Sequence, residues 1–182
     1  MIKPVSLQGN YTMVWSLDPS LDLPEYADDP QLDDAANKLA REKVERERAR
    51  LLRIARQTGN WTEITKPGEH PTYFTFGHLT HNEFSWIGGE IQRKGMGGHE
   101  ANDLFFLVAI RQIENFGDVK VGRHRAAQIE GTRDHIWKAS PDVLDKLHAA
   151  LSSAGLRDGA ALMLEEFVQE IVRRARGEID PL

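Results

Sequence analysis

Two histidines three residues apart, His78 and His81, with Glu83 close behind and a second pair at His99-Glu100, are the side chains whose types best suit a metal. Zinc takes imidazole and carboxylate ligands, but a ligand pair on one helix ordinarily stands at i and i+4. Thr80 and Glu83 form a T-x-x-E capping box, which puts His78 ahead of a helix and His81 in its first turn. The two rings then need not converge, and packing or surface histidines are the expected reading. No metal is assigned, and His78 and His81 stand as the candidates for one.

Other constellations are also incomplete. Gly88-Gly89 and Lys94-Gly95-Met96-Gly97-Gly98 bring glycine-rich backbone that can approach an anion, but neither G-x-x-x-x-G-K-[ST] nor G-x-G-x-x-G is present, so they read as linker. Asp103, Asp118, Glu130, Asp134 and His135 are scattered over expected loops and helix starts, where such residues serve as caps, and no acid, base or nucleophile is assigned. Lys38 to Arg56 holds eight basic residues against Glu42, Glu45 and Glu47, a local charge of +5. Pairs such as Glu42/Arg46 and Glu47/Lys43 suit a solvated helix, and contact with nucleic acid is the competing use. Lys120, Arg123, His124, Arg125 and Arg133 form a second basic cluster. Trp15, Trp61, Trp86 and Trp137 stand at element edges, as core residues or, where exposed, as interface anchors.

Composition narrows the classes. The 182 residues suffice for one domain that buries roughly 70% of its unfolded surface without a staple. Absence of cysteine removes thiol catalysis, Cys-ligated zinc and disulfides, and fits a reducing compartment. A net charge of −5 supports solubility and opposes whole-surface attraction to nucleic acid or acidic membrane. No apolar run approaches a signal peptide or membrane span, so a soluble, unprocessed protein without cofactor is expected.

The elements that must position these residues are mostly helical. Tyr11 to Leu17 reads as a strand, and Asp18 to Asp34, with Pro19, Pro24 and Pro30 among acids, as an extended connector. Ala35 to Thr58 is a helix with Asp33 or Asp34 to cap it and Gly59 to end it; its apolar stripe, Leu39, Val44, Leu51, Leu52, Ile54 and Ala55, is thin through the charged middle. Trp61 to Thr65 and Thr72 to Phe76 flank Pro67-Gly68 and predict a hairpin. A helix from Thr80 should fail at the glycines of Arg93 to His99, leaving a mobile loop. Ala101 to Phe116, started by Asn102 or Asp103 and ended by Gly117, reads as one buried helix, and Asp118 to Arg125 as a short strand or loop. Ser140-Pro141 opens a helix that Gly155 closes, and Asp158 opens the last one. The predicted class is α+β and mostly helical, with a small antiparallel sheet, hairpin plus N-terminal strand, on a helical core. Residues 1–60 would form the strand, connector and charged helix, and 61–182 the hairpin and core domain.

Phe74-Thr75-Phe76-x-x-Leu79-Thr80-x-x-Glu83-Phe84, the apolar helix Leu104 to Ile113 with Asn115-Phe116-Gly117, the Val143-Leu144-x-x-Leu147 helix and a final amphipathic helix occur in an order that resembles small tail-assembly and virion accessory proteins of long-tailed bacteriophages. The matching pieces span a little over half the chain, and the acidic connector and charged helix fall outside them. The resemblance implies a non-enzymatic, chaperone-like or structural protein of the host cytoplasm or virion that binds other phage structural proteins, with homo-oligomerisation open. Its binding arm would be the charged helix, through Leu39, Val44, Arg46, Arg50, Leu51 and Arg53. The alternative is a nucleic-acid-binding regulator or packaging accessory using Arg46, Arg50 and Arg53 with Lys120, Arg123 and Arg125. A metal-dependent hydrolase at His78 and His81 comes third.

Overall fold

The computed structural model describes residues 9–15, 18–153 and 160–178. They form an α+β fold in which a three-stranded antiparallel sheet and a separate two-stranded hairpin accompany five helices. Among them no helix is long and apolar enough to cross a membrane. Two compact units arise: Val14–Thr72 is one, and the residues before it join Tyr73 onward to make the other.

The larger unit is built on strands β1 (Asn10–Val14, all but its last residue), β2 (Tyr73–Gly77) and β3 (Ile110–Glu114), in the order β1-β2-β3. The expected Trp61–Thr65/Thr72–Phe76 hairpin is not formed. Instead β2 pairs with β3, Phe74 opposite Ile113 and Thr75 opposite Gln112, and with β1 on its other side, where the hydroxyls of Thr12 and Thr75 meet at 3.2 Å. The Pro67-Gly68 turn exists, with Gly68 at φ +79°, but Thr62–Ile64 is a 3₁₀ turn. Its buried residues Trp61 and Ile64 stand three apart, a helical spacing rather than the alternation a strand requires. β1 ends at Val14, and Ser16 and Leu17 lie outside the described residues.

Helix α2 (His81–Lys94) has the predicted capping box: Thr80 Oγ1 accepts from Glu83 N at 3.2 Å, and Glu83 Oε2 accepts from Thr80 N at 2.7 Å. It runs past Arg93, which with Lys94 pairs to Glu90 at 2.7 and 3.2 Å. The expected loop shrinks to three residues, because Gly95 turns left-handed at φ +62° and Glu100 accepts from Gly97 N at 3.1 Å to open α3 (Gly98–Ala109). The single helix expected over Ala101 to Phe116 breaks at Ile110, where the chain becomes β3. Ile110 and Ile113 are β-branched and find strand partners in Phe76 and Phe74, while Asn115 at φ +59° and Gly117 at φ +51° end the segment. Strands β4 (Arg123–Gln128) and β5 (His135–Ala139) make a hairpin where only a short strand or loop was expected.

Helix α4 (Asp142–Ser153) starts one residue after Pro141, with Val143 N donating to Ser140 O at 3.1 Å, and α5 (Ala160–Ala175) packs on α3 and α4. The expected stop at Gly155 and start at Asp158 lie outside the described residues. Phe74, Phe76, Ile87, Phe106, Ile110, Leu147, Ile171 and Val172 are fully buried, and Phe74 meets Phe167 edge-on at 4.7 Å.

In the smaller unit, helix α1 (Asp34–Thr58) begins where expected: Asp33 accepts from Ala36 N at 2.7 Å, and Gly59 ends the helix at φ +68°. Leu21, Leu52, Ala55, Trp61 and Ile64 are among the buried apolar residues of this unit, with Val14 and Trp15 at its start. Leu21 bridges Thr65, and Asp22 N donates to Ile64 O at 2.8 Å. Asp18, buried, accepts from Ser20 N at 2.9 Å, Ser20 Oγ at 2.5 Å and Thr72 N at 2.8 Å, so the two ends of the unit are clasped together.

Candidate functional site

Helical geometry sorts α1 into two faces. At 100° per residue, Ala35, Leu39, Lys43, Arg46, Arg50, Arg53 and Gln57 fall within about 40° of one line. All seven are exposed, Leu39 at 67%. Val44 and Leu51 lie on the opposite side with Ala40, Arg48 and Ala55, and are half-buried or better. Of the six residues expected to meet a partner, Leu39, Arg46, Arg50 and Arg53 therefore share a surface, while Val44 and Leu51 serve the covered face.

The acidic connector lies along α1 in an ordered path, and one side chain does most of this. Asn37 Oδ1 accepts from Tyr26 Oη and from Asp29 N at 2.9 Å, and Asn37 Nδ2 donates to Asp29 O at 3.0 Å and Leu32 O at 3.2 Å. Arg41 pairs with Asp28 at 2.6 Å. Carboxylates flank the basic file: Glu42 reaches Arg46 at 3.3 Å, and Glu47 takes a forked pair of bonds from Arg50 at 2.8 and 2.6 Å. That fork holds the Glu47 carboxyl below its ordinary range. The expected Glu47/Lys43 pair gives way to Glu47/Arg50.

In the larger unit the histidines do not converge on a metal. His78 packs edge-on against Tyr11 at 4.9 Å, with Nδ1 3.3 Å from Ala175 O, and His81 is exposed. Among the described residues no three His, Cys, Asp or Glu side chains are placed to hold a metal ion.

The second basic cluster divides as well. Lys120 is exposed and Arg125 reaches His135 Nε2 at 3.0 Å, but Arg123 turns inward. Arg123 Nη2 donates to Val108 O at 3.0 Å and Trp137 O at 2.7 Å, and its Nε is buried without a partner. Burial, with the Arg111 guanidinium nearby, brings the Arg123 pKa down to about 10. Arg111 donates to the same carbonyl and stands 3.6 Å from Glu83, and burial lowers its pKa too. Glu83 thus caps α2 with one oxygen and faces Arg111 with the other. Two guanidiniums converging on one carbonyl give this cluster a structural role, and remove Arg123 from any phosphate-binding surface.

A cavity of about 280 Å³ lies among α3, α4 and α5, lined by His99, Asp103, His148 and Glu165 over Leu144 and Val168. His99 Nδ1 is 3.3 Å from Glu165 Oε1. Burial raises the Asp103 pKa, the opposing pull of His99 and His148 being weaker. The sequence reading named His99 and Asp103 separately, and missed His148 and Glu165. His99 and Asp103 stand at i, i+4 once α3 is known to start at Gly98, a spacing hidden by placing that start at Asn102 or Asp103. Comparison with known protein families, with curated proteins and with solved structures finds no match to this chain.

Proposed function

We propose that this chain is a non-enzymatic protein that acts by binding other proteins, as a tail-assembly or virion accessory protein of a long-tailed bacteriophage, with α1 as its binding arm. The observation that carries the reading is the exposed file on α1. From Asp34 through Leu51 no side chain of this helix is buried, and Leu39 stands open to solvent in line with four cations. Helices of soluble domains ordinarily earn their stability by covering an apolar face, so a long helix with so little covered has a surface free for a partner. The family placement is supported by the order of motifs from Phe74 to the final helix.

The nucleic-acid reading loses Arg123 to the interior but keeps Arg46, Arg50, Arg53, Lys120 and Arg125. One experiment separates the two. The full chain is co-expressed with structural proteins of a long-tailed phage virion, and complexes are resolved by size exclusion at low and high salt, with a DNA-binding assay in parallel. A stoichiometric complex with a structural protein, weakened by Leu39→Asp, is expected. Absence of any such complex together with salt-dependent DNA binding would replace assembly with regulation.

A further inference from the structure

The exposed face of α1 is specific enough to describe the chemistry of what it binds. Resting on the protein-binding reading, we infer that Lys43, Arg46, Arg50 and Arg53 receive an acidic α-helix of another protein, with Leu39 making an apolar contact at the head of the file. The spacing from Leu39 is four, three, four, three, which keeps these side chains in one line about 21 Å long at the helical rise. A second helix laid alongside repeats its own side chains at the same intervals. Acidic residues three and four apart on that helix therefore meet Lys43 and Arg53 directly, and Arg46 and Arg50 by sharing them with Glu42 and Glu47.

Two other occupants fit less well. A second copy of α1 packed file to file would set Lys43 opposite Arg53 and Arg46 opposite Arg50 when antiparallel, and like against like when parallel, so repulsion opposes self-pairing. A nucleic-acid backbone would have to lie beside Glu42 and Glu47, which flank the file on either side and bond to Arg46 and Arg50. Duplex phosphates come about every 1.7 Å along the axis and would press against those carboxylates. A protein helix offers one carboxylate per turn, which fits between them. Leu39, 67% exposed, adds an apolar anchor that a phosphate backbone cannot use.

The test uses the isotope-labelled full chain, titrated with a synthetic helical peptide carrying Glu at i, i+3, i+7 and i+10, with one Leu in line four residues beyond one end of the set. A scrambled peptide of the same composition and a short DNA duplex serve as comparisons. Amide shifts concentrated on residues 39–57, weakening with salt, are expected for the patterned peptide. Replacing Lys43, Arg46, Arg50 and Arg53 by Gln should weaken binding roughly tenfold, the sum of several exposed pairs. Gln is a good helix former, and retention of the circular dichroism spectrum checks the fold. The single change Arg53→Gln should give a smaller loss in the same direction. Equal binding of the scrambled peptide, indifference to the four Gln substitutions, or tighter binding of the duplex would overturn the inference. So would salt-sensitive self-association of the chain that those substitutions abolish. If the patterned peptide binds this file and no virion protein binds the chain, the inference stands and the assembly reading falls. If a virion protein binds the four-Gln variant as well as the original, the reverse holds.

Discussion

Glu83 shows how one side chain is committed twice. Its carboxylate closes the cap of α2 and is the acidic group facing Arg111, with Arg123 held close by. Glu83→Ala leaves a helix donor unpaired and two partly buried cations facing each other, and should cost about 2–4 kcal/mol in urea denaturation. Glu83→Gln keeps an acceptor for Thr80 N but removes the charge, and should cost roughly half as much. The cap was legible in T-x-x-E; the guanidiniums were not, because Arg111 lay inside an expected helix and Arg123 in an expected surface cluster. Asp103 permits a pH prediction. Burial raises its pKa, so the folded protein holds this proton to higher pH than the unfolded chain does. Its contribution is therefore full below the ordinary value of 3.8 and is lost as pH rises through the raised one. Asp103→Asn should raise the melting temperature at pH 7, and the gain should vanish near pH 3.

Among the elements, α1 and its connector contrast most clearly. The limits of α1 follow from Asp33, a run of helix formers and Gly59, all local signals. The connector has the composition of a disordered segment, yet Asn37 holds it through four hydrogen bonds contributed by α1's own first turns. Asn37→Ala should speed amide exchange across residues 26–32 by roughly a hundredfold or more while leaving global melting nearly unchanged, since four bonds at about 1 kcal/mol each act locally here. If exchange instead rises along the whole of α1, the tie is part of the helix's own stability. At α2, Thr80→Ala removes a cap acceptor and should cost about 1 kcal/mol by the same denaturation assay.

At the scale of the molecule, the smaller unit is an excursion between two strands that neighbour each other in the sheet. Thr12 and Thr75 meet across β1 and β2, and Asp18 bonds Thr72 N where the excursion begins and ends. Asp18→Ala should cost about 2–4 kcal/mol, since three donors lose a buried carboxylate. Replacing residues 18–71 by a short Gly-Ser turn should leave the larger unit folded, with one cooperative melting transition and its aromatic near-UV signal intact. Loss of that transition would show that the sheet depends on the excursion.

What the sequence determined by itself is what local chemistry governs: the α+β class, both ends of α1, the capping box of α2 and the turn at Gly68. Helix period, caps and glycine turns depend on neighbours within a few positions, and so can be read along the chain. Tertiary structure alone decided that Phe74 and Phe76 pair with Ile113 and Ile110 rather than with Trp61–Thr65, that a helix yields to a strand at Ile110, and that Arg123 points inward. It also decided that His99, Asp103, His148 and Glu165 share one cavity. Each of these turns on partners more than a dozen residues away, where pairing and burial outweigh local propensity.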